Sequence, residues 1–369
     1  MITSVANILI IFLLCVALAL GEIRSSDHVV KIIKTEEGDV FNCIDINQQP
    51  ALDHPLLKNH EIQMKPSSYP YELHNRSLSE ATKLIAQLPF VACPEGSVPI
   101  LQDRKDGKID ISNFHPMASY VGKGELAGMK TVDDIYGSYV SINVYEPKVK
   151  EKTEDFSASW VEMSNNKNRS YCETIAVGSV VWPSLHGDNF ARFHASWYGK
   201  GNNACWDHRC PGFVQVSPRV GLGGRVKPIS VYNGPQYDIH VLLFKDPKTT
   251  NWWLAHGKNK TPIGYWPSSL FDNLKDKSNI AFWGGHLSGP TIQSNFPEMG
   301  SGHFASEGFG KAAFMRDIKI VDGNNRYATP NIVKTIASSS RMTCYTVDKF
   351  GQDDDGMHVY YGGPGGCTN

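Results

Sequence analysis

The chain has 369 residues, 41% of them hydrophobic, and a formal net charge of -1. That length suits about two domains with enough apolar surface for a real core. The balanced charge, with no clustered Lys/Arg face, excludes nucleic acid as a partner.

Residues 1–21 read as a secretory leader. The apolar run 8–17 is too short to span a bilayer comfortably, and Ala19-Leu20-Gly21 supplies small residues ahead of Glu22. The only positive charge in its first region is the amino terminus, so an uncleaved anchor stays open. No later segment approaches the ~18–20 apolar residues of a spanning helix. The expectation is a secreted protein of the extracellular space or apoplast, with no membrane contact after leader removal.

Past Cys15 seven cysteines remain, an odd number that leaves one thiol over. Proximity pairs Cys43 with Cys93, Cys205 with Cys210 and Cys344 with Cys367, which strands Cys172. Cys205 and Cys210, with His194 and His186 upstream, invite a zinc reading. In an oxidising compartment a short disulfide loop takes precedence, and the spacing fits no common zinc signature, so neither metal nor cofactor is expected. Asn75, Asn168 and Asn259 begin glycosylation sequons.

Residues 22–125 form a first module. The stretch 44–60 is polar and punctuated by proline, which favours extended and turn conformations. Residues 77–88 carry the 3.6-residue periodicity of one amphipathic helix, with Leu78, Ala81, Leu84, Ile85 and Leu88 on a face. The charged segment 102–108 reads as an exposed linker, so this small α+β module suits a removable pro-segment.

Residues 126–369 have the texture of an all-β, antiparallel β-sandwich. Val140, Ile142 and Val144 alternate. Further strands are expected at 176–182, 192–198, 212–216, 237–245, 251–254, 280–283 and 316–321, each short and bounded by Gly, Pro, Asn or Asp. Residues 267–275 have the spacing of a helical turn or two. Many strands with almost no crossover helices imply antiparallel sheets. Gly221-Leu-Gly-Gly224 lacks the strand-to-helix context of a dinucleotide site.

The segment Trp283-Gly284-Gly285-His286 stands out as a candidate site. It is an apolar run that breaks into two glycines, which let another backbone approach, and it then presents one titratable side chain. Met299-Gly300-Ser301-Gly302-His303-Phe304 follows as a second glycine-rich turn. Gly300, Ser301, Trp253, Tyr265 and Trp266 complete the expected lining of a cleft. The aromatics among them are suited to gripping prolines or stacking on a sugar, with packing between sheets as the alternative.

Several of these words, in order, resemble the neprosin family of secreted plant proteins. Gln49-Pro50-Ala51, the segment 53–60 and Gln63-Met64-Lys65-Pro66 are similar to its activation peptide. Cys210-Pro-Gly-Phe-Val-Gln215, Asn251-Trp252-Trp253-Leu254, Gly264-Tyr-Trp-Pro267, Trp283-Gly284-Gly285 and Tyr360-Tyr-Gly-Gly-Pro364 are similar to its peptidase domain. The resemblance implies a β-sandwich glutamic peptidase that cleaves around proline at acidic pH. One carboxylate would take a proton from the attacking water, and a second group would stabilise the oxyanion or protonate the leaving nitrogen.

At the two positions where the family carries glutamates, this chain has Ala176 and His286. Glu173 is an odd number of residues from Ala176, so a regular strand points it to the opposite face. Glu298, ahead of the glycine-rich turn, is the better relocated acid, with His286 as a base near neutral pH. The sequence therefore favours a pseudoenzyme that binds a peptide, proline-rich or otherwise, or a glycan, with its own pro-segment as an internal partner. The alternative is an endopeptidase that uses Glu298 with His286.

Overall fold

The computed structural model describes residues 28–72, 84–103, 124–167, 172–200, 204–353 and 356–367. The leader, the linker 104–123 and the sequons at Asn75 and Asn168 lie outside the described residues; Asn259 is exposed in a turn.

The pro-segment contributes strands β1 (Val29–Lys34), β2 (Val40–Asp45), β3 (Leu84–Ile85) and β4 (Ser97–Leu101). Strands β1, β2 and β4 form a small antiparallel sheet, and a Cys43–Cys93 disulfide ties its layer together. Cys205–Cys210 and Cys344–Cys367 are also bonded, and among the described residues Cys172 is the free cysteine.

Two large sheets follow. The seven-stranded sheet consists of β5 (Gly124–Ile135), β7 (Phe156–Asn165), β8 (Glu173–Val181), β9 (Arg192–Tyr198), β10 (Ala204–Trp206), β15 (Ser278–Ser288) and β18 (Thr335–Ser339), in the order β10-β9-β8-β7-β15-β5-β18. The second holds β6 (Gly137–Asn143), β11 (Val214–Gln215), β12 (Tyr237–Lys245), β13 (Trp252–His256), β14 (Thr261–Trp266), β16 (Ala313–Val321), β17 (Tyr327–Ala328), β19 (Thr346–Asp353) and β20 (Gly356–Gly362), with β3 paired beside β12. The named pairings are antiparallel except β3 with β12. This is a β-sandwich.

Between the sheets lies a core built from one side of each strand. Val161, Met163, Val177, Phe193, Ala281 and Trp283 of the first sheet meet Val140, Ile142, Val241, Leu243, Met315 and Val359 of the second. The central strands are covered on both sides: every residue of β6, β7 and β8 is buried. Such strands read as continuous runs rather than alternations; 237–245 coincides with β12, and 176–182 with most of β8, while β5 and β7 were not marked by their sequence.

Two local readings differ from the structure. The described end of the helix expected over 77–88 is a strand: Leu84 and Ile85 pair with Tyr237 and Asp238, and Gln87 bridges Lys227. Pairing with a sheet outweighs a weak local helical preference. Residues 267–275 form only a short 3-10 turn, Ser268–Leu270. Their amides are satisfied from outside the segment, because the buried carboxylate of Glu173 accepts from the backbone N–H groups of Asp272, Asn273 and Leu274 at 2.5, 2.6 and 2.7 Å.

The pro-segment covers the outer face of the ten-stranded sheet. Ala51 and Leu57, with Leu52, Ile62 and Tyr69, pack on Leu242, Phe244, Trp253 and Tyr265. Gln49 and Gln215 exchange two hydrogen bonds at 2.8 and 3.1 Å. A second contact lies at 221–224, where a Cβ on Gly221 would come within 2.6 Å of the Phe41 ring and one on Gly224 within 2.6 Å of Pro89. The absent side chains there make room for the pro-segment. Ion pairs add to the junction: Asp39 with Arg192, Glu36 and Glu37 with Lys227, Asp103 with Arg209, Glu95 with Arg219 and Glu72 with Lys319.

Candidate active-site face

The outer face of the seven-stranded sheet carries both positions of interest. Register sets the alternation: Ala176 lies opposite Glu162 of β7, and His286 lies opposite Ala158 of the same strand. Residues 158 and 162 are an even number apart, so Ala176, Glu162 and His286 share one face. His286 and Glu162 are four positions apart along β7, about 13 Å at the ordinary strand rise.

Between them stands Trp160. Its cross-strand partners are Gly178 on one side and Gly284 on the other, and Gly284 pairs onward with Gly128. With glycines flanking it, the indole lies against the sheet, its ring centre 4.9 Å from that of His286. Phe156 stacks on His286 at 6.1 Å, lies 6.0 Å from Trp160, and also touches Trp182 and Trp206 at 5.0 and 5.2 Å. Ala176 belongs to this same buried cluster. The histidine sits in an aromatic nest.

The other end of the face is polar. Glu162 is only 2% exposed. Burial pushes its carboxyl up to about 7, against a hydrogen bond from Ser164 and the attraction of Lys130. Ser164 Oγ donates to Glu162 Oε1 at 2.7 Å. The nearby Cys172 thiol is driven up to about 12, by burial first and by the Glu162 charge next, which removes it as a nucleophile.

A family profile described as neprosin matches residues 153–364, and one described as neprosin activation peptide matches residues 32–138. The chain belongs to the neprosin family. Two solved structures of scytalido-glutamic peptidase, one with a peptide-based transition state analog and one with a transition state analog inhibitor, are similar to this neprosin at 11% and 10% identity. Each alignment covers 65% of this chain and 98% of the other, with TM-scores of 0.35 and 0.36.

The remaining sequence candidates of this neprosin are dispersed. Gly284 is on the His286 face. Gly285 and Trp283 face inward, Gly285 against Met299 and Tyr361, and Trp283 with its Nε1–H donating to Ser138 Oγ at 2.9 Å. Trp266 is in the core between the sheets. Trp253 and Tyr265 lie on the opposite side of the molecule under the pro-segment, where Tyr265 Oη is 2.7 Å from His60 Nε2 and accepts from Gln63 N–H. They form a docking surface rather than a cleft.

Gly300, with φ +66, and Gly302, with φ +78, shape the turn that includes Ser301. That turn pairs Met299 with Gly363, joining it to the motif Tyr360–Pro364. Glu298 is engaged by Lys148, accepting from its backbone N–H at 2.9 Å and pairing with its Nζ at 3.3 Å. Glu173 is the inward-facing turn anchor described above. Glu173 faces away from Ala176 and Glu298 is paired with Lys148; the carboxylate opposite Ala176 is Glu162, which the motifs do not contain. Its signal was an isolated acid inside the apolar run Trp160-Val-Glu-Met163, and only strand register reveals its partner.

Proposed function

We propose that this neprosin is a secreted binding protein on a glutamic-peptidase scaffold, impaired in hydrolysis and engaging an extended peptide, proline-rich by preference, at its seven-stranded face. Trp160 carries this reading. An indole between Gly178 and Gly284, packed on His286, takes the space in which a water and a scissile carbonyl would have to meet two acid/base groups. Ala176 supplies no proton acceptor, and losing one essential group of that kind costs ~10²–10⁴-fold in rate. Extended ligands add to the edge of a sheet, and the outermost strands of this one are β10 and β18.

The purified protein with its pro-segment removed is expected to leave a proline-rich peptide intact between pH 2 and 7, as followed by mass spectrometry, while binding it measurably. Cleavage by the wild type overturns the reading. The triple change Ala176→Glu, His286→Glu and Trp160→Gln is expected to introduce cleavage at acidic pH; the double change that keeps Trp160 is expected to give at least tenfold less.

A second reading is an endopeptidase with a relocated acid, favoured by the placement of Glu162 directly across from Ala176. It predicts wild-type cleavage that disappears in Glu162→Gln and persists in Glu298→Gln.

A further inference from the structure

On the same outer face, beyond the aromatic nest, three buried side chains form a chain that the proposed function does not use. His194 on β9 has Nδ1 2.6 Å from Asp207 Oδ2, and the other oxygen of Asp207 accepts from the Ala195 backbone N–H at 2.9 Å. His194 Nε2 lies 3.1 Å from His186 Nε2. His194 is 1% exposed and His186 4%. His186 ends the short helix Pro183–His186 and borders a cavity of about 180 Å³, which is also lined by Asp39, Leu101, Asp103 and Arg209.

We propose that His186 and His194 hold a borderline-soft divalent cation, Zn2+ or a close analogue, at the junction of the pro-segment and the sandwich. Two imidazole nitrogens bound to one tetrahedral zinc at about 2.0–2.1 Å sit about 3.3 Å apart, close to the separation present. Asp207 fixes His194 with its Nδ1–H donated, so the Nε2 lone pair faces His186; this is the carboxylate–histidine arrangement that orients metal ligands. With His194 in that tautomer, the hydrogen between the two Nε2 atoms is the one His186 donates; when the cation binds, that hydrogen passes to His186 Nδ1, so both imidazoles stay neutral and no net proton is released.

Among the described residues no three ligating side chains converge, so water completes the coordination. The cavity has room for it, and Asp39 and Asp103 are at hand to accept from metal-bound water. Both are already paired with arginines, which keeps them in an outer shell. The Cys205–Cys210 disulfide removes the thiols from this neighbourhood and leaves imidazole as the ligand type. Because Asp39 and Asp103 come from the pro-segment and the histidines from the sandwich, the bound cation ties one to the other.

The test uses the full chain with Zn2+ alone as the probe. Titration calorimetry is expected to show one micromolar site, accompanied by a higher thermal midpoint and by slower amide exchange at residues 38–41 and 101–103. His186→Ala is expected to abolish all three effects, and Asp207→Asn to weaken binding 10–100-fold. His303→Ala, at a half-exposed histidine elsewhere, is expected to bind as the wild type does. Absence of a saturable wild-type site, retention of binding in His186→Ala, or an equal loss in His303→Ala overturns the proposal. If His194→Ala does not fold, His186→Ala and Asp207→Asn decide the matter.

Discussion

Two buried carboxylates, one associated with each outer face, have opposite fates. Asp246, on the pro-segment side of the ten-stranded sheet, accepts from Ser67 N–H and Oγ–H at 2.5 Å each, from Gln63 Nε2 at 3.0 Å, and from Lys248 and Thr249 amides at 2.8 and 3.1 Å. Burial would raise its pKa, but these donors outweigh burial and hold it below the ordinary carboxylate value. Glu162 on the seven-stranded sheet has the Ser164 hydroxyl and the pull of Lys130, and burial takes it to about 7. A carboxylate saturated with donors is an anchor. One held near neutrality is a group that can exchange a proton, and it lies directly across from Ala176.

The largest expected stability effect breaks the tie between pro-segment and sandwich. Arg192 is fully buried and shared between Asp39 at 2.8 Å and Asp188 at 2.6 Å. Arg192→Ala leaves two carboxylates without their cation and should cost about 3–5 kcal/mol, measured as a shift in the denaturant midpoint of the full chain. A change below 1 kcal/mol would show that the Arg192–Asp39 pair does not hold the pro-segment.

The next effect is a contrast in pH dependence. A carboxyl raised from 4.5 to about 7 in the fold keeps its proton where the unfolded chain has lost it, so stability falls as pH rises from 4.5 to 7 and is flat above. The loss amounts to about 3 kcal/mol. Asp246 has the opposite sign: its stabilisation is present above 3.8 and lost as pH falls through its lowered folded value. Buried His208, lowered to about 4, tilts the same window the other way, so the test compares proteins: the stability of Glu162→Gln relative to the wild type should rise between pH 4.5 and 7, with the acid limb intact, as read from unfolding curves at several pH values. No change in that difference with pH would remove Glu162 as a source.

The smallest of the three concerns the glycine contact. Gly221→Ala forces its new methyl against the Phe41 ring and should cost about 1–3 kcal/mol. Hydrogen exchange should locate that loss in the pro-segment sheet and leave β7, β8 and β15 protected. Uniform loss would mean that the two regions unfold as one.

Much of this was legible in sequence, for identifiable reasons. The strand at 237–245 is β12, because a β-rich run between Gln236 and Asp246 leaves little choice of ends. The disulfide pairs followed from proximity. Strand β7 was not legible, since burial on both sides erases alternation and Glu162 interrupts the apolar run. At the candidate site, Ala176 and His286 came from their motif positions, whereas Trp160 and Glu162 enter only through register with strands far away in sequence. Trp253 and Tyr265 looked like a binding surface and are one, but for the pro-segment.

The ion pairs at that junction share a polarity. In each, the acid belongs to the pro-segment and the base to the sandwich: Asp39, Glu36, Glu37, Asp103, Glu95 and Glu72 face Arg192, Lys227, Arg209, Arg219 and Lys319. Apart from the buried Arg192–Asp39 pair, the more exposed of these add little to stability, but the common sign of the whole set matters for kinetics. Separated, the two pieces would carry opposite fields and find each other by electrostatic steering, with an association rate that falls steeply as salt rises. Ionic strength would thus govern how fast the pieces recombine more than how tightly they hold.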